Sequence, residues 1–309
     1  MRAAFSDALV RLAKADPNVL LLTGDHGYAL FDDFRAQCPK QYINAGIAEQ
    51  NMVGMAAGLA RAGFRPFVYG LSAFIPVRVL EQIKLDVAHD KLPVIFIGDG
   101  AGFVYSHLGT SHQSTEDIAC TRAIPELAVY SPADRFEMTV CMESAYLSRS
   151  AVYLRMGKSD RGDVHTQVPP VNKGELLMVK PGKPSDLVFI ATGSLVRTAI
   201  DIALGSYPAA AVWSAPFIKP INSEQVIDLC QSSRAVVVFE EHSVIGGLGS
   251  AITEIASEFA PVRILRIGVR DRFSHYCGTY EYLLKEHGLD RAAIEQRIYD
   301  YLTAIKLCT

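Results

Sequence analysis

No C-x-x-C pair joins any of the six cysteines (Cys38, Cys120, Cys141, Cys230, Cys277 and Cys308), which lie scattered through the 309 residues. That spacing argues against a zinc knuckle and against a disulfide framework, and it reads as reduced, mostly packed thiols. No apolar stretch approaches the roughly 18 residues that a membrane span needs. No block of like charge occurs either, and the net charge is only −3. Membrane and nucleic acid are therefore not expected as partners, since the first needs a spanning segment and the second a basic field. The first ten residues, MRAAFSDALV, carry an acid and helical periodicity where a signal peptide would have an apolar core. A cytoplasmic location is the expectation.

What is present is a chain half hydrophobic and 20% charged, enough to bury two cores of ordinary domain size. Short β-prone runs recur at 19–22, 66–69, 93–97, 128–130, 151–154, 187–191, 210–213, 235–239 and 262–267. Nearly all are continuously apolar, as strands covered on both faces should be. They alternate with helical segments such as 5–14, 78–89, 194–203 and 223–230. This predicts an α/β protein of two domains, each a mostly parallel β-sheet flanked by helices. Residues 159–186 break the pattern with Pro169, Pro170, Pro181 and Pro184 among glycines and charges. A linker is expected there, at 161–185, between a first domain at 1–160 and a second at 186–309.

One segment concentrates chemistry. In Gly46-Ile47-Ala48-Glu49-Gln50-Asn51-Met52, Glu49 is a single carboxylate at the head of a helix otherwise almost free of charge. Ile47, Met52, Met55, Ala56 and Leu59 repeat at helical spacing, and Gly54, Ala57 and Gly58 permit close backbone approach, so burial on several sides is expected. Read alone, Glu49 fits equally a helix N-terminus favouring negative charge through the macrodipole.

The tripeptide Gly98-Asp99-Gly100 follows a strand, yet no asparagine occurs between Gly100 and Asn172. A GDG…N cation site is thereby incomplete, and the glycines read as a strand-to-loop turn. Directly beyond lies Ser106-His107-Leu108-Gly109-Thr110-Ser111-His112-Gln113, at the carboxyl end of a strand, where open α/β sheets bind ligands. His112 is a candidate acid/base there, although a loop of solvated histidines reads as well from this stretch alone. Gly246-Gly247-Leu248-Gly249-Ser250 lacks G-x-G-x-x-G spacing and reads as tight strand-to-helix packing.

Taken in order, these segments resemble the C-terminal half of transketolase-like thiamine diphosphate enzymes, a pyrimidine-binding domain followed by the transketolase C-terminal domain. The likeness spans almost the whole chain. It rests on Tyr42–Asn51 (YINAGIAEQN), Ser72–Arg78 (SAFIPVR), Gly109–Gln113 (GTSHQ), Ala191–Ser194 (ATGS), Glu240–Gly249 (EEHSVIGGLG), and a tail from Asp271-Arg272-Phe273 to Leu283-Leu284. The resemblance implies that Glu49 hydrogen-bonds N1′ of the cofactor's aminopyrimidine, a task for a desolvated carboxyl group beside the ring. It implies that Phe74 stacks on the pyrimidine, with a plain core phenylalanine as the competing reading. Arg78 and Ile47 join these as cofactor-binding residues. His112 corresponds to a histidine lining the substrate channel, with His107 and Asp25 nearby. Arg2 and Arg155 align with arginines that hold a substrate phosphate, work suited to a guanidinium fork.

Family members that act alone carry a further domain with GDG…N, which binds the diphosphate and Mg²⁺. The resemblance thus implies the β-type subunit of a split transketolase, an α₂β₂ assembly with a separate N-terminal α subunit that supplies the Mg²⁺ ligands. It would transfer a two-carbon ketol unit from a ketose donor to an aldose acceptor. Three departures from the family pattern bear on the substrate. Leu108 stands where an aspartate is usual, Gly98 where a histidine contacts phosphate, and the Ala29 region where a serine does so. A modified or nucleotide-linked sugar is then the expected substrate instead of a pentose phosphate. Two alternatives stay open: a β subunit of a 2-oxoacid dehydrogenase E1 or a deoxyxylulose-phosphate-synthase-like enzyme, and a non-catalytic scaffold subunit.

Overall fold

The computed structural model of the protein describes residues 1–158, 160–183 and 187–306; Ser159, Pro184, Asp186 and Cys308 lie outside them. Two sheets form. The first holds β1 (Val19–Thr23), β2 (Tyr42–Asn44), β3 (Arg65–Leu71), β4 (Ile95–Asp99), β5 (Ala128–Tyr130) and β6 (Val152–Met156). The second holds β7 (Leu177–Lys180), β8 (Leu187–Ala191), β9 (Ala211–Ser214), β11 (Ala235–Ser243) and β12 (Arg263–Val269), while β10 (Phe217–Lys219) returns to the first. The orders are β10-β5-β6-β4-β3-β1-β2 and β12-β11-β8-β9-β7. Every pairing is parallel except the outermost β10 with β5 and β7 with β9.

The strands at the centre are buried along their whole length, which is why their sequences are apolar without alternation. One face of the first sheet packs Leu21, Phe67, Ile97 and Leu154 against the helices Arg2–Ala15 and Arg135–Leu147. The other packs Leu22, Val68 and Phe96 against Met52, Val53, Ala56 and Ala57 of the helix Glu49–Arg61. Both faces of the second sheet are covered in the same way. The expected fold class is therefore what forms.

Three short strands depart from the sequence reading. β7 falls inside the expected linker at 161–185 and pairs antiparallel with β9, so part of that segment belongs to the second sheet. β10 comes from the second half of the chain, yet Phe217 lies opposite Tyr130 at the edge of the first sheet. Pairing there closes an otherwise open strand edge and ties the two halves together. β2 adds the opposite edge beside β1.

Five cysteines are free thiols, three of them buried, as expected, while Cys277 is exposed. At the carboxyl ends of the first sheet the chain passes from β1 outward to β2, then crosses to β3 on the other side of β1. The loops after β1 and β3 thus diverge and leave a crevice, the usual ligand position in such sheets.

Candidate active site

Four of the singled-out residues meet at this crevice. Glu49 opens its helix with Ala48 as N-cap, and its side chain is 5% exposed. Arg78, from the loop after β3, donates from Nη1 to Glu49 Oε1 at 3.1 Å. The same guanidinium lies 4.0 Å from the centroid of the Phe74 ring, a cation–π contact. The Phe74 ring in turn meets His112 edge-on at 5.3 Å. A continuous chain Glu49–Arg78–Phe74–His112 results, drawn from three separate loops and 64 positions of sequence (112 minus 49 plus one).

The remaining predicted residues are placed unevenly. Ile47 is 76% exposed and stands two positions before Glu49. The helix itself buries one face only: Gln50, Asn51, Gly54 and Gly58 are exposed, and a Cβ at either glycine would meet nothing within 4 Å. Burial on several sides is therefore not observed within this chain. Asp25 is exposed and accepts from Tyr28 Oη at 3.1 Å. His107 is exposed on the short 3₁₀ turn Ser106–Leu108, and His112 Nδ1 lies 3.0 Å from Ser111 Oγ.

Arg155 must be corrected. Its side chain is 2% exposed. Nε donates to Asp117 Oδ2 at 2.8 Å, and Nη2 reaches the carbonyls of Glu241 at 2.7 Å and Ser114 at 3.3 Å. A guanidinium committed to a buried carboxylate and two carbonyls has no fork left for a substrate phosphate. Arg155 instead clamps the seam between the sheets. There Glu241 accepts from the Phe103 amide at 2.7 Å and also holds Ser194 and Tyr280.

Gly98 has a steric reason. A Cβ there would collide with the Tyr153 phenol, whose hydroxyl donates to Asp117 at 2.7 Å. Gly246–Gly249 is the tight packing expected: the Leu248 and Gly249 amides at the start of the helix Leu248–Phe259 donate to buried Glu240.

The sequence reading missed Asp99, His26 and Tyr105. Asp99, set aside as a turn residue, is 3% exposed. It accepts from Tyr69 Oη at 2.7 Å and Tyr105 Oη at 3.0 Å, with Arg2 at 3.4 Å. Burial and the Asp99 carboxylate together raise both tyrosine hydroxyls far above their ordinary range, holding them as donors. His26 is lowered by burial against the opposing pull of Glu49, Asp25 and Asp99. The available signal was position: Asp99 ends a central parallel strand, where ligands gather.

Two family profiles cover this chain, the transketolase pyrimidine binding domain over residues 1–162 and the transketolase C-terminal domain over 174–294. A transketolase C-terminal section of Methanocaldococcus jannaschii is 36% identical, covering 97% of this chain and 95% of that one. The 6-deoxy-6-sulfo-D-fructose transketolase subunit SqwH of a Clostridium species is 32% identical over 97% of this chain and 94% of its own. Among solved structures, a split-gene transketolase in an inactive β4 tetramer superposes with a TM-score of 0.88 at 33% identity, covering 98% of both chains.

The chain belongs to the transketolase family, as a C-terminal section of the split type. Membership implies thiamine diphosphate, and the donor set fits its pyrimidine half: a buried carboxyl group and an aromatic face stand together, bridged by Arg78. Among the described residues, no three His, Cys, Asp or Glu side chains are grouped to hold a metal ion. No helix there is long and apolar enough to cross a membrane.

Proposed function

We propose that this chain is the β half of a two-subunit transketolase, active once an N-terminal α-type subunit docks. It moves a two-carbon ketol unit from a ketose donor to an aldose acceptor. The observation that carries the reading is the Glu49–Arg78–Phe74–His112 chain at the crevice between β1 and β3. When bound, thiamine diphosphate supplies the nucleophilic carbon that the sugar chemistry requires.

Glu49 is the residue that would hold the pyrimidine N1′ through a carboxyl proton, with Arg78, which donates to it at 3.1 Å, as the group that orients it before the cofactor enters. Phe74 gives the pyrimidine a flat apolar wall, and Ile47 contacts it from the loop before the helix. His112 exchanges a proton with a sugar hydroxyl in the channel, while His107, Asp25 and Arg2 line its walls. The α subunit provides the diphosphate cradle and the Mg²⁺ oxygen ligands, in a cytoplasmic α₂β₂ assembly. The inactivity of the similar split-gene protein as a β4 tetramer supports this dependence. The sulfo-sugar named for the Clostridium subunit supports a modified sugar as substrate.

Titration calorimetry of thiamine diphosphate with Mg²⁺ into this chain, with and without an N-terminal-type transketolase subunit, tests the proposal. Binding only in the presence of the partner is the expected result. Tight binding to this chain alone refutes the division of labour, and absence of binding in both refutes the cofactor assignment.

A further inference from the structure

The tail from Asp271 to Leu284 has no task in the two-carbon transfer, yet it lies beside the turn that carries His112. Ser274 Oγ donates to Gln113 Oε1 at 2.9 Å, across 161 positions of sequence. His287 Nε2 lies 2.9 Å from the same hydroxyl. Ser274 follows β12 and His287 closes the helix Tyr280–Glu286, so both belong to the second domain. Gln113 directly follows His112 and caps the 3₁₀ turn Thr110–His112.

These three side chains form a linear relay. Gln113 and His287 are 8% and 5% exposed. The Ser274 hydroxyl has one proton, which goes to the Gln113 carbonyl oxygen, so His287 donates from Nε2–H to Ser274 Oγ. Turning the amide over reverses both bonds and keeps all three groups joined. The imidazole is stacked on Phe103, with centroids 4.8 Å apart and 23° between planes, and the Phe103 amide is held by Glu241 at 2.7 Å. Gln113 Nε2 and His287 Nδ1 have no hydrogen-bond partner among the described residues, so Ser274 is the polar hold on both side chains. The chain just beyond the turn is fixed independently, where Gly102 and Ser114 exchange amide–carbonyl bonds at 2.8 and 3.0 Å. Gly109 opens the turn at a φ of 78°, a conformation that glycine adopts readily. Between these points the Gln113 side chain is the hydrogen-bonded tie, among the described residues, from the turn to the second domain. Removing the Ser274 hydroxyl leaves a buried amide wholly unpaired, a condition relieved by turning it toward water. His112, one residue away, would move with it.

We propose that Ser274 and His287 are positioning residues, which act through Gln113 to set the turn that aims His112 at the Phe74 ring and the substrate channel. This role rests on the transketolase reading, in which His112 exchanges a proton with a sugar hydroxyl, and goes beyond it by giving the second domain a part in the reaction.

The test is a double-mutant cycle in the complex with an N-terminal-type partner, thiamine diphosphate and Mg²⁺. Glycolaldehyde is the acceptor, and the donor is D-fructose 6-phosphate or the 6-deoxy-6-sulfo-D-fructose that names the Clostridium relative, whichever is used faster. Ser274→Ala should lower kcat/KM for the donor about tenfold while the Kd of thiamine diphosphate stays within about twofold. Ser274→Thr, which keeps the hydroxyl, should restore the rate. His287→Phe, which keeps the stacked ring without its nitrogens, should match Ser274→Ala. In a His112→Ala background, Ser274→Ala should cost nothing further, because its effect passes through His112. The same tenfold loss in that background, or no loss in either single variant, overturns the inference and leaves the transketolase reading intact. Nitrogen-15 histidine NMR of the full chain alone gives a readout without turnover. The His112 ring signal should shift in Ser274→Ala and return in Ser274→Thr; an unmoved signal overturns the positioning role. A wild-type complex that transfers from neither donor counts against the transketolase reading, and the His112 signal then decides the positioning by itself.

Discussion

Two carboxylate–guanidinium pairs stand near one another at the top of the first sheet and behave differently. In the Asp117–Arg155 pair the side chains are 0% and 2% exposed; Tyr153 donates to the same Asp117 Oδ2, and two backbone carbonyls accept from Arg155 Nη2. In the Glu49–Arg78 pair the carboxylate is 5% exposed but the guanidinium is 46% exposed, resting on Phe74. The residue types match; what differs is whether one partner can leave. A pair closed on all sides is part of the frame. A pair with one solvated partner leaves that partner free to turn toward a ligand.

Breaking the closed pair should have the largest effect. Asp117→Ala leaves the Arg155 charge buried and unpaired, so the variant should lose about 3–5 kcal/mol in denaturant unfolding. A loss under about 1 kcal/mol would mean that water or a neighbour replaces the carboxylate easily, and the contrast between the two pairs would weaken.

Acid should strain the same seam through His242. That ring is fully buried, with Nδ1 2.7 Å from the Ser243 carbonyl and Nε2 accepting from the Ala119 amide at 3.3 Å. Both nitrogens are thus committed to the neutral form. Burial lowers its pKa from 6.5 to about 4, so the unfolded chain takes up the proton first. The stability it contributes is present above about pH 6.5 and is lost as pH falls toward 4, about 3 kcal/mol in all. Glu137 and Glu240 run the other way. Burial raises each from 4.5 to about 7, so their contribution is present below 4.5 and lost as pH rises through 7. The difference in unfolding free energy between the wild type and His242→Gln, followed from pH 7 to 4, isolates the histidine. A flat difference would show that the ring charges without penalty.

The open pair should cost least in stability. Arg78→Met should change unfolding by less than about 1 kcal/mol, as expected for a half-solvated ion pair. It should also weaken thiamine diphosphate binding in the complex about tenfold, worth about 1.4 kcal/mol. A large stability loss would place Arg78 with Arg155 as part of the frame.

The sequence made the central strands legible because burial on both faces writes continuous apolar runs. Strands β2, β7 and β10 were not legible, since three or four residues at a sheet edge carry neither a run nor an alternation. Glu49 stood out as a lone carboxylate on an apolar helix and His112 as an acid/base candidate in a polar loop beyond a strand, while Phe74 and Arg78 entered through the resemblance. The role of Arg155 was misread because its partner Asp117 is 38 positions away, and nothing local signals that the two are buried together. Asp99 was passed over for a related reason: its tyrosines arrive from β3 and from the loop after β4, a convergence that only the folded sheet creates.

Glu49 carries the central claim, and the direct measurement is kcat of the reconstituted, cofactor-loaded complex with Glu49→Gln, alongside its unfolding free energy. The account predicts a fall of at least about 100-fold with stability changed by less than about 1 kcal/mol. Activity within about threefold of the wild type would contradict it, because a proton held at Glu49 would then play no part in the reaction.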